Sequence, residues 1–194
     1  MKWIFATLLT FMSSQVLAQQ TNNPFDVQIG ITPANGRFNI NASYAVPIHP
    51  CGAYAFLTDY EASKNIAGVV DLQILSRSAN KVRVSRTLEE NILFFNVELK
   101  TVVEYTEVPH RLLSFEQVSG DAKLYKGTWK LVPEKDKTLF KYDAVVDLDS
   151  VVPMAVIEYF MKNNLRERLD SMAQKAAQYK PPPPNKSSQV LACK

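Results

Sequence analysis

One stretch near the C-terminus constrains the fold more than any other part of the chain. Residues 151–177 predict a single long helix, with seven apolar side chains recurring three or four positions apart: Met154, Ile157, Met161, Leu165, Leu169, Met172 and Ala176. That spacing places them on one face of a helix with a period of 3.6 residues. This face must be covered, and the first half of the helix, apolar nearly all round apart from Glu158, needs cover on almost every face.

A series of predicted strands precedes the helix and can supply that cover. Alternating apolar and polar side chains predict strands at 37–46, 69–76, 81–88, 92–106, 111–118, 122–132 and 138–148, and a further short strand fits 26–32. A short helix is predicted at 51–59, with a second helix or turn at 60–65. Because the connections between strands are short, neighbouring strands should pair antiparallel. The predicted class is α+β, a curved antiparallel sheet of about seven strands wrapped around the C-terminal helix.

The N-terminus has the pattern of a secretory signal. Lys2 precedes an apolar run at residues 3–12, and residues 13–18 lead to small or aliphatic side chains at the positions that a signal peptidase reads. The run is shorter than the roughly 20 residues that a membrane span requires. We expect cleavage before Gln19 and a periplasmic or secreted protein that has no membrane span after cleavage; an uncleaved membrane anchor is the alternative.

The remaining chain predicts one folded domain between two tails. Residues 1–18 are the signal peptide, 19–36 an N-terminal lead, 37–178 the domain and 179–194 a proline-rich tail. Four consecutive prolines at 181–184 favour an extended conformation. The tail is either a stiff spacer or a peptide ligand for a protein partner that the sequence does not identify.

Cysteine, histidine and charge patterns exclude several kinds of site. In an oxidising compartment Cys51 and Cys193 could form one disulfide, but sequence spacing does not decide between a bridge and two free thiols. With His49 and His110 they match no metal-ligand spacing, so we expect neither a metal site nor a cofactor. Formal net charge is +3 and basic residues do not alternate with aromatic ones, so nucleic acid is not an expected partner.

The segment PIHPCGAYAFLTDYE, at residues 47–61, follows the strand at 37–46 and leads into the two short helices. This segment and the order of elements resemble the SRPBCC superfamily, also called START-like or birch-pollen-allergen-like. Within it, the chain is similar to the branch of polyketide cyclases, lipid transport proteins and coenzyme Q-binding proteins. The resemblance covers residues 39–178 and implies a helix-grip fold with a hydrophobic tunnel between sheet and helix. A secretory signal and a proline-rich tail are not part of the family pattern.

The resemblance implies that inward-facing side chains of the sheet and helix bind a ligand. These are Tyr44, Phe95, Leu99, Tyr125, Gly127, Trp129, Tyr142, Met154, Ile157, Glu158 and Met161. Aromatic and aliphatic walls with a few hydroxyls are typical of a small-molecule pocket, although the residues alone also fit a solid core. Gly127, on an otherwise bulky face, would leave room for a ligand or for the helix.

Arg86 is the most interesting single charge in the predicted strands. If Val82 and Val84 face the core, Arg86 faces it too, and an unpaired cation there is costly. Arg86 would then pair with an acidic ligand head group or with Glu158 from the helix. In the alternative interpretation, a bulge or strand end near Thr87 turns Arg86 to solvent.

These patterns favour a noncatalytic binding protein. We expect an exported protein that binds or transports an apolar small molecule, such as a lipid or quinone, between sheet and helix. No nucleophile motif surrounds any serine, and no catalytic residue is predicted. One alternative is an enzyme of the polyketide cyclase or dehydratase type, with Tyr44, Tyr125, Tyr142 and Glu158 as acid or base groups. The other is an interaction domain with a filled core.

Overall fold

One antiparallel sheet of eight strands contains more than half of the described residues. The computed structural model describes residues 23–92, 95–148 and 152–180, without the side chains of residues 92 and 95. The strands are β1 (Gln28–Ala34), β2 (Arg37–Val46), β3 (Val69–Ser78), β4 (Lys81–Ile92), β5 (Phe95–Val108), β6 (Leu112–Gly120), β7 (Ala122–Pro133) and β8 (Thr138–Leu148). Their order in the sheet is β1-β2-β8-β7-β6-β5-β4-β3. Strands β3 to β8 thus form a meander, and the hairpin of β1 and β2 joins it through β8.

Two helices and one short turn complete the fold. Helix α1 (Pro50–Thr58) begins with a proline, and Nδ1 of His49 accepts a hydrogen bond from the backbone N–H of Cys51. A 3₁₀ turn follows at Ala62–Asn65, and the long helix α2 (Met154–Ala177) is the last element of the described chain. The predicted α+β class, with a sheet and a long C-terminal helix, is confirmed. None of the helices among the described residues is long and apolar enough to span a membrane.

Strand β1 corresponds to the further short strand considered at 26–32, and with it the sheet has eight strands instead of about seven. Asn35 and Gly36 both have positive φ, which suits a two-residue hairpin turn, and Ala34 pairs with Arg37 on either side of it. Pro33 lies within β1, where an edge strand tolerates proline because only one side of the strand needs hydrogen bonds. Strand β1 therefore extends two residues beyond the predicted strand at 26–32, and the turn consists of Asn35 and Gly36.

Buried side chains form two clusters instead of one continuous core. The larger cluster includes Phe38, Tyr44 and Phe140 under β2 and β8, together with Leu169 and Ala173 of α2. The smaller one comprises four residues: Tyr60, Leu72, Val82 and Val84. Apolar residues of both clusters border the hollow described below.

The first half of α2 is less enclosed than its composition suggests. Ile157 is buried, but Met154 is 38% exposed and Tyr159 is 70% exposed. The prediction that almost every face of this half is covered is therefore wrong. The sheet covers only the face with Ile157 and Met161, and Met161 stays half-buried because it borders the hollow.

Only one of the two cysteines in the predicted disulfide lies among the described residues. Cys51 is buried near the start of α1 and is not a free thiol. Cys193 lies outside the described residues, as do the predicted signal peptide and the proline tail beyond residue 180. The pairing of Cys51 with Cys193 therefore stays a prediction.

Candidate functional site

A cavity of about 860 Å³ lies between α2 and the concave face of the sheet. Its wall is largely apolar, with Leu99 of β5, Phe115 of β6 and Trp129 of β7 facing Leu165 of α2. The volume lies within the range of about 300–1,000 Å³ that is typical of small-molecule pockets. The inward-facing residues of this chain therefore surround a hollow and do not fill a solid core.

Seven of the predicted ligand-binding residues line the cavity. They are Arg86, Leu99, Tyr125, Trp129, Tyr142, Ile157 and Met161. The sheet contributes five of them from β4, β5, β7 and β8, and α2 contributes the other two. These side chains lie on the cavity-facing side of their strands and of α2, as strand alternation and helix periodicity predict. Their contact with a ligand stays a prediction.

Tyr44 and Gly127 lie in the packed part of the sheet and do not line the cavity. The fully buried ring of Tyr44 stacks on Phe140 with 4.7 Å between ring centroids, and burial raises the pKa of the Tyr44 hydroxyl. A Cβ atom at Gly127 would stand 2.2 Å from the backbone oxygen of Asp143 and 2.7 Å from Cζ of Phe115. The missing side chain thus makes room for strand β8 and the Phe115 ring, not for a ligand.

Met154 and Glu158 also lie outside the cavity lining. Met154 is at the exposed start of α2, where the sheet does not reach it. The Glu158 carboxylate accepts a hydrogen bond of 2.7 Å from Nζ of Lys162, one helical turn further on, so Glu158 is not the partner of Arg86. The side chain of Phe95 lies outside the described part of the chain.

Arg86 points from β4 into the cavity. Its Nη2 donates a hydrogen bond of 3.1 Å to the hydroxyl of Tyr125, and its Cζ lies 5.4 Å from the centroid of that ring. The hydroxyl oxygens of Tyr125 and Tyr142 are 3.4 Å apart. The register shifts in this pair of strands skip residues of β3, not of β4, so alternation along β4 continues unbroken and the interpretation that turns Arg86 to solvent is wrong.

An ion pair that was not predicted also lines the cavity. Arg168 of α2 forms an ion pair with Glu90 of β4, and Nδ2 of Asn164 donates a hydrogen bond of 2.9 Å to the same carboxylate. Burial lowers the pKa of Arg168, and the nearby positive charge of Arg86 lowers it further. The alternation that places Arg86 inward continues to Glu90, and Arg168 lies three residues after Leu165, so both residues carried a usable sequence signal.

Polar contacts also connect the C-terminal end of α2 to the elements on the other side of the cavity. The Tyr179 hydroxyl donates a hydrogen bond of 3.0 Å to the carboxylate of Asp59, and its ring meets that of Phe56 edge-on. Nζ of Lys175 donates to the backbone oxygen of Asn65. With the Glu90 ion pair, these contacts connect α2 to α1, to the 3₁₀ turn and to β4.

A protein-family model described as polyketide cyclase / dehydrase and lipid transport matches residues 46–173. The chain belongs to this family. The match spans the region from the end of β2 through most of α2, and therefore includes most of the residues that line the cavity. The resemblance found in the sequence is confirmed. A comparison with curated protein sequences finds no match.

Solved structures share the fold of this family member. A protein of Thermus thermophilus is 18% identical, with a TM-score of 0.61 over 72% of this chain and 94% of that one. The Zhui aromatase/cyclase of Streptomyces sp. R1128 is 12% identical, with a TM-score of 0.60 over 73% and 94%. A STAR-related lipid transfer protein of Xanthomonas axonopodis is 13% identical, with a TM-score of 0.58 over 76% and 98%. At these identities the likeness shows the helix-grip fold alone.

Proposed function

We propose that this protein binds and transports an apolar small molecule, such as a lipid or quinone, outside the cytoplasm. The observation that carries the proposal is the apolar cavity of about 860 Å³ between the sheet and α2. Moving the apolar surface of a ligand from water into this cavity would contribute about 25 cal/mol of favourable binding free energy per Å² buried. Lipid transport in the family description supports the proposal, and the signal-like pattern of residues 1–18 supports export.

The cavity also separates this function from an interaction domain with a filled core. Such a domain would bring the side chains of α2 into contact with those of the sheet. Instead, Met161 and Leu165 of α2 border open space opposite Phe115 and Trp129. The geometry therefore favours a protein that encloses a ligand.

The polar groups of the cavity favour binding over cyclase-type catalysis. Burial raises the pKa of the Tyr142 hydroxyl well above its ordinary value, so this group keeps its proton at neutral pH and does not act as a base. The Glu90 carboxylate is held by Arg168 and Asn164. Neither described histidine lines the cavity. Arg86, Tyr125 and Tyr142 can orient a ligand. The other carboxylates of the lining already have partners: Asp59 accepts from the Tyr179 hydroxyl, Glu98 pairs with Nζ of Lys100, and Asp121 accepts from the Lys100 backbone N–H.

Filling the cavity from α2 should abolish much of the binding. We expect Met161→Trp to weaken binding of the neutral dye Nile red about 10-fold or more, because the indole takes space that the ligand needs. Asn163→Trp, on the exposed side of the same helix, is the matched control and should bind like the wild type. Fluorescence titration of the two variants and the wild type makes the comparison. If Nile red binding weakened equally in both variants, or weakened in neither, the ligand would bind elsewhere.

A further inference from the structure

The charge of Arg86 has no anionic partner within the described part of the chain. Nη2 of Arg86 donates to the hydroxyl of Tyr125, and the Nε–H of Arg86 is buried without an acceptor among the described residues. Arginine remains protonated in proteins, so the positive charge is permanent. The carboxylate of Glu90, two inward positions further along β4, is already shared by Arg168 and Asn164. A buried guanidinium in this situation is stabilised strongly by an acceptor that carries negative charge.

The surroundings of Arg86 offer more hydrogen-bond donors than acceptors. A guanidinium has five N–H donors and no acceptor, whereas each tyrosine hydroxyl supplies one O–H donor. Tyr125 accepts from Arg86 and shares one contact with Tyr142, whose hydroxyl proton is retained because burial raises its pKa. The cluster of Arg86, Tyr125 and Tyr142 thus has donors left over. Carboxylate and phosphate oxygens carry negative charge and accept several hydrogen bonds, so they complement such a cluster better than an uncharged alcohol or ketone does.

Arg168 adds to the positive character of the same wall. It lies close enough to Arg86 for that charge to lower the Arg168 pKa, while its own charge is compensated by Glu90. The two arginines and one glutamate leave this part of the lining with a net positive charge. Leu99, Phe115 and Trp129 give the sheet side of the wall its apolar surface. The other charged residues of the lining are Asp59, Glu98, Lys100, Asp121, Lys175 and Lys180, three acidic and three basic side chains.

We propose that the ligand is an anionic amphiphile, whose acidic head group binds inward at Arg86 and Tyr125 while its apolar part fills the rest of the cavity. This inference rests on the proposed function and adds the head-group chemistry to it. A single carboxylate, as in a long-chain fatty acid, is the simplest head group with that chemistry. The guanidinium fork pairs with two oxygens of one acid group, which fixes the orientation of the ligand.

Two probes of equal chain length test the head group directly. Palmitate and the saturated alcohol of the same length are titrated against Nile red bound to the delipidated full-length protein. We expect palmitate to bind about 10- to 100-fold more tightly, as charge-assisted hydrogen bonds contribute about 1.5–3 kcal/mol. If Nile red binds and the two probes bind equally, the head-group inference is overturned and the proposed function stands. If neither probe nor dye binds, the proposed function itself fails.

A pair of arginine variants on β4 assigns the effect to one side chain. Arg86→Gln should remove most of the preference for palmitate and change the affinity for the alcohol less than about threefold. Arg83→Gln is the matched control, because Arg83 lies on the outer face and pairs with Glu104. Arg86→Lys keeps the charge and should retain a preference for palmitate, which covers the case in which Arg86→Gln fails to fold. The assignment would be overturned if Arg83→Gln lost the preference for palmitate, or if Arg86→Gln kept it.

Discussion

Replacing Glu90 with alanine is expected to destabilise the protein by about 2–4 kcal/mol, because it leaves a largely buried cation without its counter-charge. The Glu90 and Arg168 side chains are only 13% and 24% exposed, so water cannot replace the lost carboxylate fully. Asn164 also loses its acceptor, and Arg168 is left beside the like charge of Arg86. Urea denaturation followed by circular dichroism measures the change in the free energy of unfolding.

Two further variants show whether this cost comes from the buried charge. Glu61→Ala removes a carboxylate that pairs with Lys64 on the surface, and should change stability by less than about 0.5 kcal/mol. The double variant Glu90→Ala/Arg168→Met should be more stable than Glu90→Ala alone, since no unpaired guanidinium remains. A Glu90→Ala variant as stable as Glu61→Ala would show that the ion pair does not hold α2 against β4.

Gly127→Ala should destabilise the protein by about 3 kcal/mol, because the added methyl group collides with atoms that cannot move aside. The new Cβ would stand 2.2 Å from the backbone oxygen of Asp143 and 2.7 Å from Cζ of Phe115. Gly30→Ala is the matched control in another strand, with its nearest contact an ordinary 3.8 Å to the backbone oxygen of Asn41. Thermal and urea denaturation compare the two. Equal tolerance of both substitutions would contradict the close approach of β7 and β8.

The architecture was predictable because each of these strands and helices has one face towards the protein interior and another towards solvent. The apolar stripe from Ile157 to Ala176 predicted α2, and alternation along β2 and β8 predicted their buried faces. Turn residues such as Asn35 and Gly36 marked the first hairpin. These signals are local, since they depend on side-chain direction within one element.

Features that depend on how elements meet could not be predicted in the same way. Exposure of Met154 and Tyr159 depends on how far the sheet extends beneath α2, which no local pattern encodes. Whether Phe115 and Met161 touch or stand apart decides between a solid core and a cavity, and either outcome fits the same alternation. The role of Gly127 likewise depends on the neighbouring strand, because the space its missing side chain leaves is taken up by β8 and Phe115.

In the candidate site, too, the direction of a side chain could be predicted, whereas its partner on another element could not. Alternation along β4 correctly placed Arg86 inside, and the same rule applies to Glu90. The partner of each charge could not be inferred, because Glu90 and Arg168 are far apart in the sequence and meet only through the packing of α2 on the sheet. Glu158, the partner considered for Arg86, instead pairs with Lys162 within α2.

Native mass spectrometry of the protein from its own organism tests the central claim most directly. The protein is purified without detergent from the organism that makes it, and organic extraction then identifies any bound molecule. We expect a complex of the chain with one apolar small molecule, which is released on extraction and much reduced in Met161→Trp. A bare chain with an empty extract would contradict the claim that the space between the sheet and α2 holds a ligand.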